Sequence, residues 1–451
     1  MKNIHWFTPL ALILVASTLH ADRTVSSDFT QNGGTFAVNP SGNLFVSHST
    51  NDPLLTLTNG AVTSGITNAF VGTLNGEMGQ VLVEQGSTLS NSVSGFVGFN
   101  KGSNGTATIT GDNSQWLSSN QIYVGYNGTG TLNVEDGGIV TTSSSTIGMS
   151  ASSNGTATIS GQGSQWNSGT LAVGISGAGT LNLKDGGVVH SNGLAQVGGA
   201  TGSSGQVTVT GAGSKWQIDN TLSVGSAGGG TGTVTVENGG LVTSSSGNLG
   251  FSSDGMVTVT SSGSKWQTNG SITIIGAGTL NINDGGVVQV GSLVSSSGTI
   301  SGNGGTIVGF VSNGSGGLIS PGNSPGVLTI DGDLASSGDL KFELAGTSSG
   351  LFDQLIVTGD VSLAGVVQID LLNGFAPTAH SQFKVLDFNS FTDFGYTFDF
   401  THAALGAGLS WDTSKFSEDG TVRVVPEASS LVLVGIGAVA GLVLSQKKRA
   451  R

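Results

Sequence analysis

The chain has 451 residues, of which 77 are glycine, 7 are proline and none is cysteine, and only 9% are charged, for a formal net charge of −13. A mean hydropathy of +0.16 is too apolar for a charged disordered chain, and glycine without a period of three excludes collagen. The lack of cysteine excludes disulfide scaffolds, thiolate zinc sites, iron–sulfur clusters and thiol nucleophiles.

In chain order, residues 1–21 read as an export signal. Lys2 precedes an apolar stretch, and Leu19 and Ala21 stand where a signal peptidase reads small or neutral residues, so cleavage is expected after Ala21. Residues 22–53 are expected to form an N-terminal cap. From 54 to 318 the chain repeats. Trp116, Trp166, Trp216 and Trp266 fall 50 residues apart. Between them recurs a second phrase, Gly130-Thr131-Leu132-Asn133-Val134-Glu135-Asp136-Gly137-Gly138, with copies at 179–187, 232–240 and 278–286. A glycine after an apolar residue marks each unit: Gly72, Gly98, Gly125, Gly148, Gly174, Gly198, Gly225, Gly250 and Gly276. The unit is about 25 residues, too short to bury a core alone, so neighbours must stack.

Within a unit the period is two. Leu132 and Val134 point one way, Thr131 and Asn133 the other, and Asp-Gly-Gly then turns a corner. Three short apolar runs per unit, without a helical pattern, predict an all-β, three-sided, right-handed parallel β-helix, its nine marked coils about 40 Å long. The repeated sequence resembles passenger-domain repeats of autotransporter-like surface proteins. That resemblance implies architecture and no particular activity. The tryptophans are expected in the core or at corners rather than on a carbohydrate platform.

Residues 319–424 form a β-rich C-terminal section in which phenylalanine is concentrated, expected to continue the helix or fold against it. Its opening, Ser320-Pro321-Gly322-Asn323-Ser324-Pro325-Gly326, resembles an element found where many such passengers end.

Residues 425–451 are tripartite. Pro426-Glu427-Ala428 leads into an uncharged stretch from Leu431 to Leu444, followed by Lys447, Lys448, Arg449 and Arg451. The apolar part is near the lower limit for a transmembrane helix, with basic residues holding its end in the cytoplasm. This tail resembles the PEP-CTERM sorting signal of Gram-negative bacteria, with Ala428 where the family has a second proline. The resemblance implies an exosortase-like processing enzyme cutting near Pro426-Glu427. It also implies a precursor held in the inner membrane by a single helix, then delivery to the cell surface or outside.

Candidate chemistry is sparse. Losing Lys2, Lys447, Lys448, Arg449 and Arg451 takes the charge from −13 to −18, and no arginine lies between Arg23 and Arg423, which argues against nucleic acid as a partner. A lyase needs a placed base, but Lys101, Lys184, Lys215, Lys265, Lys341, Lys384 and Lys415 are scattered. A glycosidase needs two carboxylates at a set separation, and the adjacent pair Glu135-Asp136 sits in a turn phrase where Asp serves the backbone. His48, His190, His380 and His402 lack metal-ligand spacing, and Asp331-Gly332-Asp333 lacks the surrounding calcium repeat. No catalytic, cofactor-binding or metal residue is therefore expected. Thr106 and Thr108, Thr131 and Asn133, and their counterparts should align into polar ladders resembling those of ice-binding solenoids. The leading expectation is an exported, non-enzymatic, structural or adhesive surface or matrix rod, with extracellular polysaccharide as a candidate partner. The alternatives are a polysaccharide-active β-helix enzyme and an ice-binding solenoid.

Overall fold

The structure is a computed structural model that describes residues 22–427 apart from 226–227, 252 and 323–324. The alternation read at Thr131–Val134 becomes strand Thr129–Glu135, with Leu132 and Val134 fully buried and Thr131 and Asn133 half-buried on the outside. It pairs in parallel with Asn104–Thr110 on one side and Asn154–Ser160 on the other, so Val134 lies between Ile109 and Ile159. The same pairing runs through a 16-stranded sheet that forms one side of a solenoid. The other two sides belong to a 24-stranded sheet. Strand Gln115–Val124 shows how: its register shifts between Ser118 and Gln121, and the two legs pair separately with Thr88–Asn91 and Ser94–Val97. Each coil thus has three strand segments, as the sequence predicts.

Local chemistry turns the corners. In Asp136-Gly137 both residues have positive φ, 51° and 91°, the requirement of a type I′ turn. Gly138 N–H closes the turn onto Glu135 O at 3.0 Å. Gly138 itself is required for a different reason, because a Cβ there would fall 2.2 Å from Ile109 O of the preceding coil. The next corner carries a buried serine that reaches back one coil. Ser114, Ser164, Ser214 and Ser264 accept from the N–H of Gly86, Gly137, Gly186 and Gly239 at 3.0–3.1 Å. These bonds satisfy donors that the left-handed turns would otherwise leave unpaired.

The solenoid is longer than the repeated sequence. Strand Phe29–Asn32 pairs in parallel with Leu54–Thr58, and Arg23–Val25 with Thr35–Val46, so residues 22–53 are coil as well as cap. Beyond residue 318, Leu318–Pro321, Asp339–Leu344, Val366–Leu371 and Thr397–Asp399 keep stacking. The reason is visible in Asp339–Leu344, whose inward alternation persists after the glycine phrase has gone. Sixteen rungs at coil spacing span about 70 Å. An antiparallel sheet of Gln382–Lys384, Thr421–Pro426 and Leu409–Asp412, with the helical turn Phe416–Asp419, closes the C-terminal end. Among the described residues no helix is long and apolar enough to cross a membrane. The expected span 431–444 and the cleavage residue Ala21 lie outside the described residues.

Candidate functional site

The tryptophans are interior. All four are completely buried. Trp116 Nε1 donates to Asn91 Oδ1 (2.9 Å), Trp216 Nε1 to Ser191 Oγ (3.2 Å) and Trp266 Nε1 to Ser244 Oγ (3.0 Å), each partner one coil earlier. Trp166 Nε1 has no partner. The corresponding hydroxyl, that of Thr142, is engaged by the carbonyls of Asn120 and Ser144 at 2.9 Å. Small residues make room for the indoles. A Cβ on Gly95 would lie 2.3 Å from the Trp116 ring, and one on Gly247 2.5 Å from that of Trp266. Ser145 and Ala195 occupy the same inward file, which alternates with Ile122, Leu171, Leu222 and Ile272.

The polar ladders are in register. Thr106, Thr131, Thr156 and Thr180 form one outward file, and Thr108, Asn133, Thr158 and Asn182 the next. Gln206 and Met256, the latter 39% exposed, break the first.

The residues weighed for catalysis or metal stay apart. Glu135 has Thr110 and Ser160 as rung neighbours, with no second carboxylate beside it in the sheet. Asp331 accepts from Thr358 Oγ1 at 3.0 Å and Asp333 from Asp360 N–H at 2.9 Å, so the pair ties coils together. His190 Nε2 lies 2.9 Å from Asp219, and His402 Nδ1 lies 3.5 Å from Asp370. Among the described residues no group of three His, Asp or Glu is disposed to hold a metal ion. Of the sorting-signal residues, Pro426 ends the last strand opposite Leu409, and Glu427 N–H donates to Gly408 O at 2.8 Å. Ala428, Lys447, Lys448 and Arg449 lie outside the described residues.

A further surface is aromatic. Phe45, Phe70, Phe96 and Tyr123 occupy one outward file on successive coils. Their rings are parallel within 7° and their centroids are 4.9–5.0 Å apart. Phe99 and Tyr126 stand beside them, edge to face. Six half-buried rings thus form one strip across four coils. Amides border it: Asn68 Nδ2 donates to Asn43 Oδ1 at 3.0 Å, and Gln121 Oε1 accepts from the Tyr123 hydroxyl at 2.6 Å. Burial first, and then Tyr126, hold the Tyr123 phenol above its ordinary pKa, so it remains a neutral donor. The signal was present in the sequence, since Phe45, Phe70, Phe96 and Tyr123 are separated by one coil length each.

No protein-family model matches this chain, and no curated protein matches it. Among solved structures, the chain is similar to a TibC-catalysed hyper-glycosylated TibA fragment, at 17% identity over 82% of this chain and 100% of that one, with a TM-score of 0.30. The parallel strand pairing of this chain itself defines the solenoid.

Proposed function

We propose that the chain is an exported, non-enzymatic rod that adheres to extracellular polysaccharide through its outer faces. The observation that carries this reading is the strip of Phe45, Phe70, Phe96, Tyr123, Phe99 and Tyr126 with its amide border. Aromatic rings offer apolar surface to the C–H faces of sugars, and fixed amides select hydroxyls, the usual make-up of an oriented binding surface. The rod supplies geometry instead of chemistry: polar and aromatic files held at coil spacing on a stiff support. In this reading an exosortase-like enzyme releases the body from a membrane-held precursor, with cleavage near Pro426-Glu427.

A glycan array probed with the purified protein tests the reading. Binding that falls at least tenfold in a Phe70→Ser, Phe96→Ser variant supports it. Release of unsaturated or reducing ends from a glycan panel would instead favour the polysaccharide-active enzyme. Mass spectrometry of surface material tests the sorting step: a C-terminus near Pro426 supports processing, and an intact Lys447–Arg451 tail refutes it.

A further inference from the structure

The outward file just before each tryptophan position alternates in chemistry. Register aligns Gln115, Ile139, Gln165, Val188, Lys215, Leu241, Lys265 and Val287 on successive coils. Polar and apolar side chains therefore alternate coil by coil, with the same two-coil period as the tryptophans. In the later half the polar members are lysines. Beside them the corner is built from Gly213, Gly239 and Gly263, whose φ values of 85–86° favour glycine over residues with a side chain. Three missing side chains in a column leave an open groove of about 500 Å³, walled by Lys215, Leu241, Lys265 and Val287 and floored by bare backbone.

The lysines here differ from those nearer the C-terminus. Lys341, Lys384 and Lys415 each sit in an ion pair with a carboxylate. Lys215 Nζ donates to Gln217 Oε1 at 2.9 Å and Lys265 Nζ to Gln289 Oε1 at 2.7 Å. Neither belongs to any ion pair among the described residues. In each case the direct partner of the ammonium is an amide rather than a carboxylate. Asp219, at the end of this strand, is turned to His190 and Gln217, at 2.9 and 3.2 Å. Gln217 stands between Lys215 and Asp219, whose carboxylate feels the Lys215 charge without pairing with it directly. Two cations outside any direct ion pair thus stand two coils apart, about 10 Å, on a chain whose net charge is −13.

We propose that this groove binds a linear acidic polysaccharide laid along the rod axis, with carboxylates on alternate sugars. Carboxylates meet Lys215 and Lys265, apolar sugar faces lie on Leu241 and Val287, and hydroxyls reach the peptide groups of the glycine corner. A polymer charged on every unit would set half its charges against Leu241 and the acidic body. The pattern therefore favours alternating charge over nucleic acid. The inference rests on the glycan-binding reading and specifies a second site with its own ligand class.

The test uses the full chain and the K215Q/K265Q variant, which installs the residues already found at Gln115 and Gln165 and so preserves the fold. Binding is measured to hyaluronan, whose acid falls on alternate sugars, to neutral dextran, to the array glycans and to single-stranded DNA. The expected result is hyaluronan binding that weakens about tenfold in the variant, from two exposed charge pairs, and loses most of its salt dependence. Dextran and array binding stay unchanged. Hyaluronan binding equal in both proteins, no hyaluronan binding by the parent, or DNA bound as tightly and lost in parallel would each overturn the proposal. If array glycans still bind in those cases, the adhesive reading stands. If no glycan of either charge binds, that reading falls too.

Discussion

In the coils from Asn104 to Ser295 the interior is aliphatic, with one tryptophan every second coil and the same hydrogen bonds repeated from rung to rung. From Phe375 onward rings meet rings. Phe383 lies 5.7–6.1 Å from Phe352, Phe375 and Trp411, and Phe416 lies 5.0–6.1 Å from Phe391, Tyr396 and Phe398. On the outer face charges pair between coils, with Lys341 Nζ held between Glu343 at 2.9 Å and Asp370 at 3.1 Å. An interior coil finds a copy of itself above and below, so its side chains need only fit neighbours like themselves. The last coil has no successor, and an open sheet end invites pairing with other chains. Its closure must therefore be unique, and large rings crossed by antiparallel strands supply that uniqueness.

The strongest way to break this comparison is to charge the interior of a repeat coil. Val134→Asp places a carboxylate between Ile109 and Ile159, with no cation among its rung neighbours. A loss on the order of 5 kcal/mol is expected, with hydrogen-exchange protection lost over several neighbouring coils in both directions. Unchanged thermal unfolding would show that the strand phase is inverted.

Phe416→Ala should cost less, about 3–4 kcal/mol for a fully buried ring, and its effect should run one way. Protection should fall in Gln382–Lys384 and Thr421–Pro426 while Thr129–Glu135 keeps its own. Equal loss along the whole rod would mean that closure and coils form one cooperative unit.

Acid offers a gentler contrast. Asp353 is buried, and its carboxylate accepts from Gly326 N–H at 2.6 Å and Glu343 N–H at 2.8 Å. Burial outweighs those bonds and pushes its pKa up to about 7 from 3.8. The folded form therefore binds the proton more tightly than the unfolded one, so stability should rise as pH falls from about 7 toward about 4. Urea midpoints at about pH 8 and pH 5 should show this gain in the parent and lose it in Asp353→Asn. A parent midpoint that drops on acidification would contradict it.

The smallest effect compares two coils of the same design. Trp116→Phe breaks the bond to Asn91, whereas Trp166→Phe removes an N–H that has no partner. The first should be destabilised by about 1 kcal/mol more than the second. Equal midpoints would show that the Asn91 bond adds nothing net.

The coils were legible because their determinants are local. Leu132 and Val134 point inward as alternation requires, and marker glycines such as Gly98 and Gly125 carry φ of 75° and 72°. The ends were harder to read. Asp339–Leu344 stacks without the glycine phrase, since pairing needs alternation and a turn but no particular words. The surfaces were hardest, because they exist only between coils. Lys215 and Lys265 are scattered in the sequence and become one file through register, and Phe45, Phe70 and Phe96 look like isolated apolar residues until stacked. Ser114 and Ser164 read as turn residues, yet their hydroxyls serve a glycine of the coil before.

The pairing of each indole with a small residue one coil earlier sets a rule for how such a gene can grow. A duplication or loss of 50 residues, the tryptophan spacing, keeps bulk facing room at every step. An exchange of half that length would bring two indoles to adjacent levels, or two small residues, and the interior would be overfilled or hollow at the join. Length in this lineage should therefore change by pairs of coils, and the lysine–leucine alternation outside would be inherited in the same doubled step.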